Sequence, residues 1–380
     1  MKKSWRNKSV TGGLVLMSML PLASQAEIHL VPQVPEDSVL SRLDLTVGGS
    51  IRPQFNHSTG VNDKSYKRNG FDGGTRFRFG ANYHFNDDLT WINYYELGVN
   101  VPAVLKWDNH YQKGSHHTTR RMLYTGLDSK EWGRLTLGQQ NSVYYDVVGA
   151  KTDVWDDDML AQGPGNGING DYDGSYRSRK MLKYKKSVDQ VDVYASFLFA
   201  DSSYYPGNGL AYKRQGGGSL GADYHITKDL TWGTAWNYTK ASMRDPSTGE
   251  GHDYNQNLFG TALSWNPGNW ALSAGGGFYE NFLLAKRSNL NDYFAGNAWG
   301  IEYFAGYNFH IDQYGVKVIE PYFMGDRLQY VSGRNYQRID NGLGVSFQLQ
   351  HGFRVDVEHM FTSSTDKIGD LNLVRLRYDF

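Results

Sequence analysis

The sequence predicts an all-β chain, a 16-stranded antiparallel β-barrel that crosses a membrane. Three observations carry this. Apolar and polar residues alternate with a period of two over long stretches. Short turns recur about every 40 residues, with one interval nearer 60. No apolar stretch after Ala26 reaches the ~20 residues that a membrane helix needs, which excludes a helical membrane protein but not a membrane β-barrel.

The N-terminus comes first. Lys2, Lys3, Arg6 and Lys8 precede the apolar run "GGLVLMSMLPLA", and Ser24-Gln25-Ala26 supplies small residues at a cleavage position. That is the pattern of a secretory signal peptide over residues 1–26, with Glu27 as the first mature residue and 27–380 as one barrel domain. The full chain carries 39 basic and 39 acidic residues; losing four cations leaves 35 − 39 = −4. This balance gives no reason to expect a nucleic-acid partner. The 44 glycines and 55 aromatics (18 Phe, 27 Tyr, 10 Trp) accompany a mean hydropathy of −0.58, so the chain is aromatic and hydrophilic at once. With no cysteine, disulfides, thiolate metal sites and thiol nucleophiles are excluded.

The strands follow. In "RFRFGANYHF", Phe77, Phe79, Ala81, Tyr83 and Phe85 share one parity; Arg76, Arg78, Gly80, Asn82 and His84 share the other. In "LNLVRLRYDF", Val374, Leu376, Tyr378 and Phe380 oppose Leu373, Arg375, Arg377 and Asp379. Short turns are expected near Asn86–Asp88, Asp128–Trp132, Ser187–Gln190, Thr227–Asp229, Asn266–Asn269, Asp312–Gly315 and Gln350–Gly352. Seven hairpins and one strand at each terminus give 1 + 14 + 1 = 16 strands. Long loops at one end and tight turns at the other mark an outer-membrane barrel. The phrase "ANYHFNDDLTW" at 81–91 returns as "ADYHITKDLTW" at 222–232. Both copies are read as turn-proximal hairpins that place Tyr83, Tyr224, Trp91 and Trp232 in an interfacial aromatic girdle. The last residue is aromatic too. In this Tyr378 and Phe380 resemble the C-terminal assembly signal that the barrel-assembly machinery reads in outer-membrane proteins.

A barrel of this size leaves an aqueous channel. Inward charge then meets water, whereas a cation facing lipid at mid-depth costs about 2–4 kcal/mol. Arg76, Arg78, Glu96, Arg121, Arg177 and Arg179 are therefore expected on the lumen or its mouth. The longest interval contains "DVVGAKTDVWDDDMLAQGPGNGINGDYDGSY", acidic, glycine-rich and without a strand pattern; a connection of that length is a functional loop.

Three separated blocks, "TRFRFGANYHFNDDLTWINYYEL", "RMLYTGLDSKEWGRLTLGQQNSVYYDVVGAKTDVWDDD" and "YRSRKMLKYKKS", resemble the general diffusion porins of enteric bacteria in order and parity. The resemblance is strongest over residues 75–190 and continues to Phe380 as strands and turns. It implies that the third loop, 143–175, folds into the lumen and forms a constriction. Its acids face wall arginines there. Carried over by position, the wall arginines match Arg76, Arg121 and Arg177, the loop acids match Asp153 and Asp157, and the inward glutamate matches Glu96. Around Thr119-Arg120-Arg121 two phases fit, so Arg120 is the alternative to Arg121. The chain departs from the family in the loop tip "VWDDDMLAQGPGNG", which adds Trp155, Asp156 and Asp158, and in the additional arginines Arg78 and Arg179.

The expected function is passive diffusion of ions and small hydrophilic solutes, with outer-membrane lipid and lipopolysaccharide around the barrel. The alternative is a substrate-selective porin whose aromatics form a stacking track for oligosaccharides; a purely structural barrel or adhesin is a third option. The resemblance also implies a homotrimer, for which "LDLTVGGSI" at 43–51 is suitably small and apolar. No cofactor or metal is expected. "AQGPGNGINGDYDG" lacks the Lys-Ser/Thr of a phosphate loop, and Asp171–Gly174 lacks the later acidic ligand of a calcium loop. His110, His116 and His117 are read as solvated loop residues. The fixed catalytic pair of the lipase and protease barrels is not found, so no enzyme activity is expected.

Overall fold

The computed structural model describes residues 27–30, 38–59, 71–106, 117–154, 170–207, 209–283 and 295–380. Sixteen strands close into one barrel. In chain order they are β1 (Leu43–Ile51 with Pro53–Ser58), β2 (Phe71–Asp72 with Arg76–His84), β3 (Leu89–Val99) and β4 (Thr118–Ser129). Next come β5 (Gly133–Asn141), β6 (Arg177–Val188), β7 (Val191–Leu198 with Tyr204–Gly207) and β8 (Leu210–His225). Then follow β9 (Leu230–Arg244), β10 (Gly251–Trp265), β11 (Trp270–Leu283) and β12 (Ala295–Tyr307 with Phe309–Gln313). The last four are β13 (Val316–Tyr330), β14 (Gln337–Leu349), β15 (Phe353–Ser364) and β16 (Leu371–Asp379). All seven short turns fall where the alternation places them.

Each strand pairs antiparallel with its sequence neighbour, and β16 returns to β1 through Ser50↔Asp379 and Leu373↔Asn56. The Phe380 N–H donates to the Gly49 carbonyl at 3.1 Å, and the Gly49 N–H donates to the Phe380 carbonyl at 2.7 Å. Beyond that seam, Ile28–Leu30 pairs with residues 45–47 of β1 and covers the edge that β16 does not reach. A closed ladder matters in lipid, where an unpaired strand edge has no water to turn to.

Exposure is inverted relative to a soluble protein. On β16, Val374 and Leu376 are exposed while Arg375 and Asp379 are buried; on β9, Trp232 and Trp236 are exposed while Asn237 and Thr239 are buried. Apolar side chains therefore face the bilayer and polar ones the interior.

After β5 the described residues 143–154 turn inward. Val143–Thr152 is helical, with a π-helical stretch at Tyr145–Gly149. Its Val143, Tyr144, Val147 and Val148 are fully buried and pack with Ala235, Leu258, Ala262 and Tyr279 of β9, β10 and β11. A row of small residues in direct register, Gly221–Ala235–Gly260–Gly277–Gly300, runs across β8 to β12 beneath it. Gly260 is small by necessity, because a Cβ there would overlap the Tyr144 hydroxyl. This packing lays the segment against the far wall of the barrel.

Candidate functional site

Glu96 is the hub of one wall. It sits on β3 directly opposite Arg78 of β2 and is 1 % exposed. Its Oε2 accepts from Arg78 Nε at 3.1 Å and from the Tyr94 hydroxyl at 3.3 Å; its Oε1 accepts from Arg121 Nε at 2.5 Å. Arg76 stands two residues along and donates to the Gly74 carbonyl at 3.0 Å. The β3–β4 register shifts between Glu96 and Leu97, so that Glu96 faces Met122 while Leu97 faces Arg120. Arg121 is the bulged residue and turns to Glu96, whereas Arg120 donates to Gln139 at 3.1 Å. That bulge is the physical source of the two possible phases in the sequence.

The inward segment brings Asp153 into this electrostatic neighbourhood. The Tyr145 hydroxyl donates to Asp153 Oδ2 at 2.5 Å. Burial and the adjacent Asp153 carboxylate hold the Tyr145 phenol well above its usual range, with Arg76 acting in the opposite sense. Asp153 also acts electrostatically on Arg375 of β16. On the return limb, the Arg177 guanidinium lies 4.4 Å from the Tyr176 ring centroid and 3.5 Å from Asp171 Oδ1. Burial raises the Asp171 carboxyl above its usual range, against the pull of Arg177. Asp173 is fully buried. Its Oδ1 accepts the Ser175 N–H at 2.8 Å, Oδ2 has no partner among the described residues, and burial pushes its carboxyl up to about 6.

Of the sequence-predicted residues, Arg76, Arg78, Glu96 and Arg121 are brought together, and Arg177 stands beside the loop acid Asp171. Arg179 is engaged elsewhere, donating to Asp201 at 2.9 Å and to the Tyr172 hydroxyl at 3.0 Å. Asp156, Asp157, Asp158 and Trp155 lie outside the described residues. Tyr378 and Phe380 stack 5.7 Å apart at the seam. Asp171 takes Arg177 and Asp173 takes the Ser175 N–H, and no cluster of metal-ligating side chains occurs among the described residues.

Sequence reasoning missed the continuation of this charged wall across the seam onto β16, β15 and β14. Asp356 of β15 takes Arg354 at 2.5 Å and Arg375 at 2.6 Å, and Arg338 of β14 meets Asp340 at 2.7 Å. Glu302, Asp326 and Asp340 sit in register on β12, β13 and β14. The signal was present: Arg375, Arg377 and Asp379 share a parity in the last strand. Also missed were Lys151 and Asp223, paired at 2.5 Å, and Arg214, which is 0 % exposed.

A closed 16-stranded barrel with an apolar exterior and opposed charges inside is a membrane channel. Residues 13–312, most of the chain, match the Gram-negative porin family, so the chain belongs to that family. It is an outer-membrane protein that forms a water-filled channel for passive diffusion of ions and small hydrophilic solutes. No curated protein matches it by sequence. Among solved structures it is similar to Salmonella typhi OmpF, determined in complex with daunomycin, at 16 % identity, 89 % of this chain, 98 % of that one and a TM-score of 0.68. The outer membrane channel DcaP of Acinetobacter baumannii gives 10 % identity, 89 % and 97 % coverage and a TM-score of 0.63. The trimer form of Vibrio cholerae OmpT gives 15 %, 89 %, 99 % and 0.58. At these identities the likeness speaks to the fold alone.

Proposed function

We propose that the channel is narrowed between the inward segment 143–175 and one charged wall that runs from β14 through the seam to β4, and that it sorts solutes by size and charge without holding them. The loop acids are Asp153, Asp156, Asp157 and Asp158. The facing bases are Arg76, Arg78, Arg121, Arg177 and Arg179, of which Glu96 fixes Arg78 and Arg121, while Arg179 is held by Asp201 and Tyr172. The observation that carries this reading is the Tyr145–Asp153 pair at 2.5 Å: Arg76 acts on Tyr145, Asp153 acts on Arg375, and the two arginines, on strands that flank β1, act on each other. Two opposite charges about 8 Å apart interact by only about 0.5 kcal/mol in bulk water, and severalfold more in a narrow throat. Such pairs orient dipolar solutes and separate the paths of cations and anions, yet release both readily, as conduction requires. Neither a catalytic step nor a cofactor enters this function.

Residues 1–26 act as the signal peptide, and 27–380 form the barrel. The trimer form of the Vibrio cholerae relative supports a homotrimer, with the small, apolar face of residues 43–51 in the contact. The outward tryptophans Trp91, Trp232 and Trp270 meet outer-membrane lipid.

Asp153→Asn is expected to shift the reversal potential under a salt gradient toward anion preference. An unmoved potential removes Asp153 from the throat. A second reading, selectivity for oligosaccharides, is favoured by the stacked pair Tyr94–Tyr124 on the inward parity of β3 and β4, 5.3 Å between centroids. Saturable block of the current by a maltose series supports that reading; linear flux supports general diffusion.

A further inference from the structure

Strand β8 holds the inward segment at both limbs, beside Lys183 of β6 on Asp146, Glu302 of β12 on Thr152 and Thr239 of β9 on the Asp173 carbonyl. On the outgoing limb, Lys151 is 6 % exposed, and its Nζ lies 2.5 Å from Asp223 Oδ1 while donating to the Val147 carbonyl at 2.6 Å. Asp223 is equally buried, and its Oδ2 accepts from the Tyr194 hydroxyl at 3.3 Å. The neighbouring carboxylate, Asp192, is taken by Lys185 at 2.9 Å and approached by His225 Nε2 at 3.5 Å. Room for the Lys151–Asp223 pair comes from Gly233 on β9, where a Cβ would stand 2.8 Å from Lys151 Nζ and 2.5 Å from Asp223 Oδ1. On the returning limb, Arg214 NH1 donates to the Tyr172 carbonyl at 2.8 Å, and its Nε donates to the Phe199 carbonyl at 2.9 Å. The β8–β9 register shifts between Arg214 and Gly216, and this lets residues of opposite parity, 214 and 223, both reach the segment.

We propose that Asp223 is a positioning residue of the channel: through Lys151 it holds the inward segment on the wall at β8, and so sets the width and the steadiness of the open passage. This rests on the reading that segment 143–175 narrows the passage. The physical ground is the asymmetry of a buried ion pair. With both partners present the charges satisfy each other; with one neutralised, the other is left buried without compensation and draws water or moves away. Lys151 is carried by a loop and Asp223 by a barrel strand, so the loop is the part that moves. It moves into the lumen, because the wall is behind it.

Planar-bilayer recordings test this. Asp223→Asn is expected to raise open-channel current noise at least about twofold and to change mean conductance, while Asp223→Glu retains near-native traces. Lys151→Met, which breaks the same pair from the loop side, is expected to reproduce the noise, and serves if Asp223→Asn yields no folded barrel. A cross-link provides the rescue. The chain has no cysteine, and a Cβ on Gly221 would lie 2.8 Å from Val143 Cγ1, so Val143→Cys with Gly221→Cys places two thiols within disulfide reach. Added to Asp223→Asn, the oxidised pair is expected to quiet the channel, and dithiothreitol to restore the noise. Native noise and conductance in both Asp223→Asn and Lys151→Met would overturn the proposal. If Asp153→Asn still moved the reversal potential in that case, the constriction would stand without this anchor; if it did not, both would fall.

Discussion

His84 and His225 perform the same task in two distant hairpins. Their Nδ1 atoms lie 2.9 and 3.2 Å from the hydroxyls of Thr90 and Thr231, the threonine of each Leu-Thr-Trp. The indole N–H groups of Trp91 and Trp232 then donate to Thr125 and Thr261 on the following strands, at 2.8 and 2.7 Å. Between them, the Asn86 side-chain oxygen accepts the N–H groups of Asp88 and Leu89, as the Thr227 hydroxyl accepts those of Asp229 and Leu230. The repeated phrase is thus a repeated turn chemistry, with the Trp body in the bilayer interface and its polar edge satisfied. Asp173 shows what a single buried carboxyl does to the loop. Its folded pKa of about 6 stands above its ordinary value of 3.8. Folding therefore favours the protonated form. The stabilisation is complete below about pH 4 and is lost as pH rises through about 6, worth about 3 kcal/mol at most. Current noise from the inward segment is expected to rise between pH 4 and 7 in the native channel and to stay level in Asp173→Asn. Equal pH dependence in the two would detach Asp173 from the loop's packing.

At the scale of strands and loops, the closing seam depends on the last strand. Phe380 exchanges two backbone hydrogen bonds with Gly49, worth about 1 kcal/mol each, and packs edge-on against Phe77 at 5.8 Å. Deleting Phe380 is expected to lower the yield of folded barrel on refolding into detergent, followed by β-sheet circular dichroism, while Phe380→Tyr refolds like the native chain. Equal yields from all three would remove the C-terminal residue from the closing step. Strands and turns were legible because each carries its own signal: alternation for the strands, and Asn, Asp and Gly at the turns. The bulges were not. Arg121 and Arg214 sit where register shifts, and parity carries no information across such a point. The inward helix was missed for another reason. Val143, Tyr144, Val147 and Val148 have helical spacing, but ten residues of it inside an acidic, glycine-rich stretch read as loop. Its glycine furrow on β8 to β12 emerges only once five strands are set in register.

For the molecule as a whole, the inverted distribution of polarity explains a chain that is hydrophilic on average yet lives in a bilayer. Strand alternation assigns half of each spanning strand to lipid and half to water. The described part of the inward segment packs against β9, β10 and β11; under the proposed function the conducting path runs on the side where Arg76, Arg78, Arg121 and Arg375 stand. The pairing of these groups with Glu96, Asp153 and Asp356 was only partly legible, since residues from β2, β3, β4, β15 and β16 meet there through barrel closure. The most direct measurement is the current through a planar bilayer holding the purified, folded protein in a salt gradient. An open, ohmic conductance is expected, with a reversal potential that moves toward anions in Asp153→Asn and back toward cations in Arg76→Ala. A bilayer that stays electrically tight after verified insertion of the barrel would contradict it.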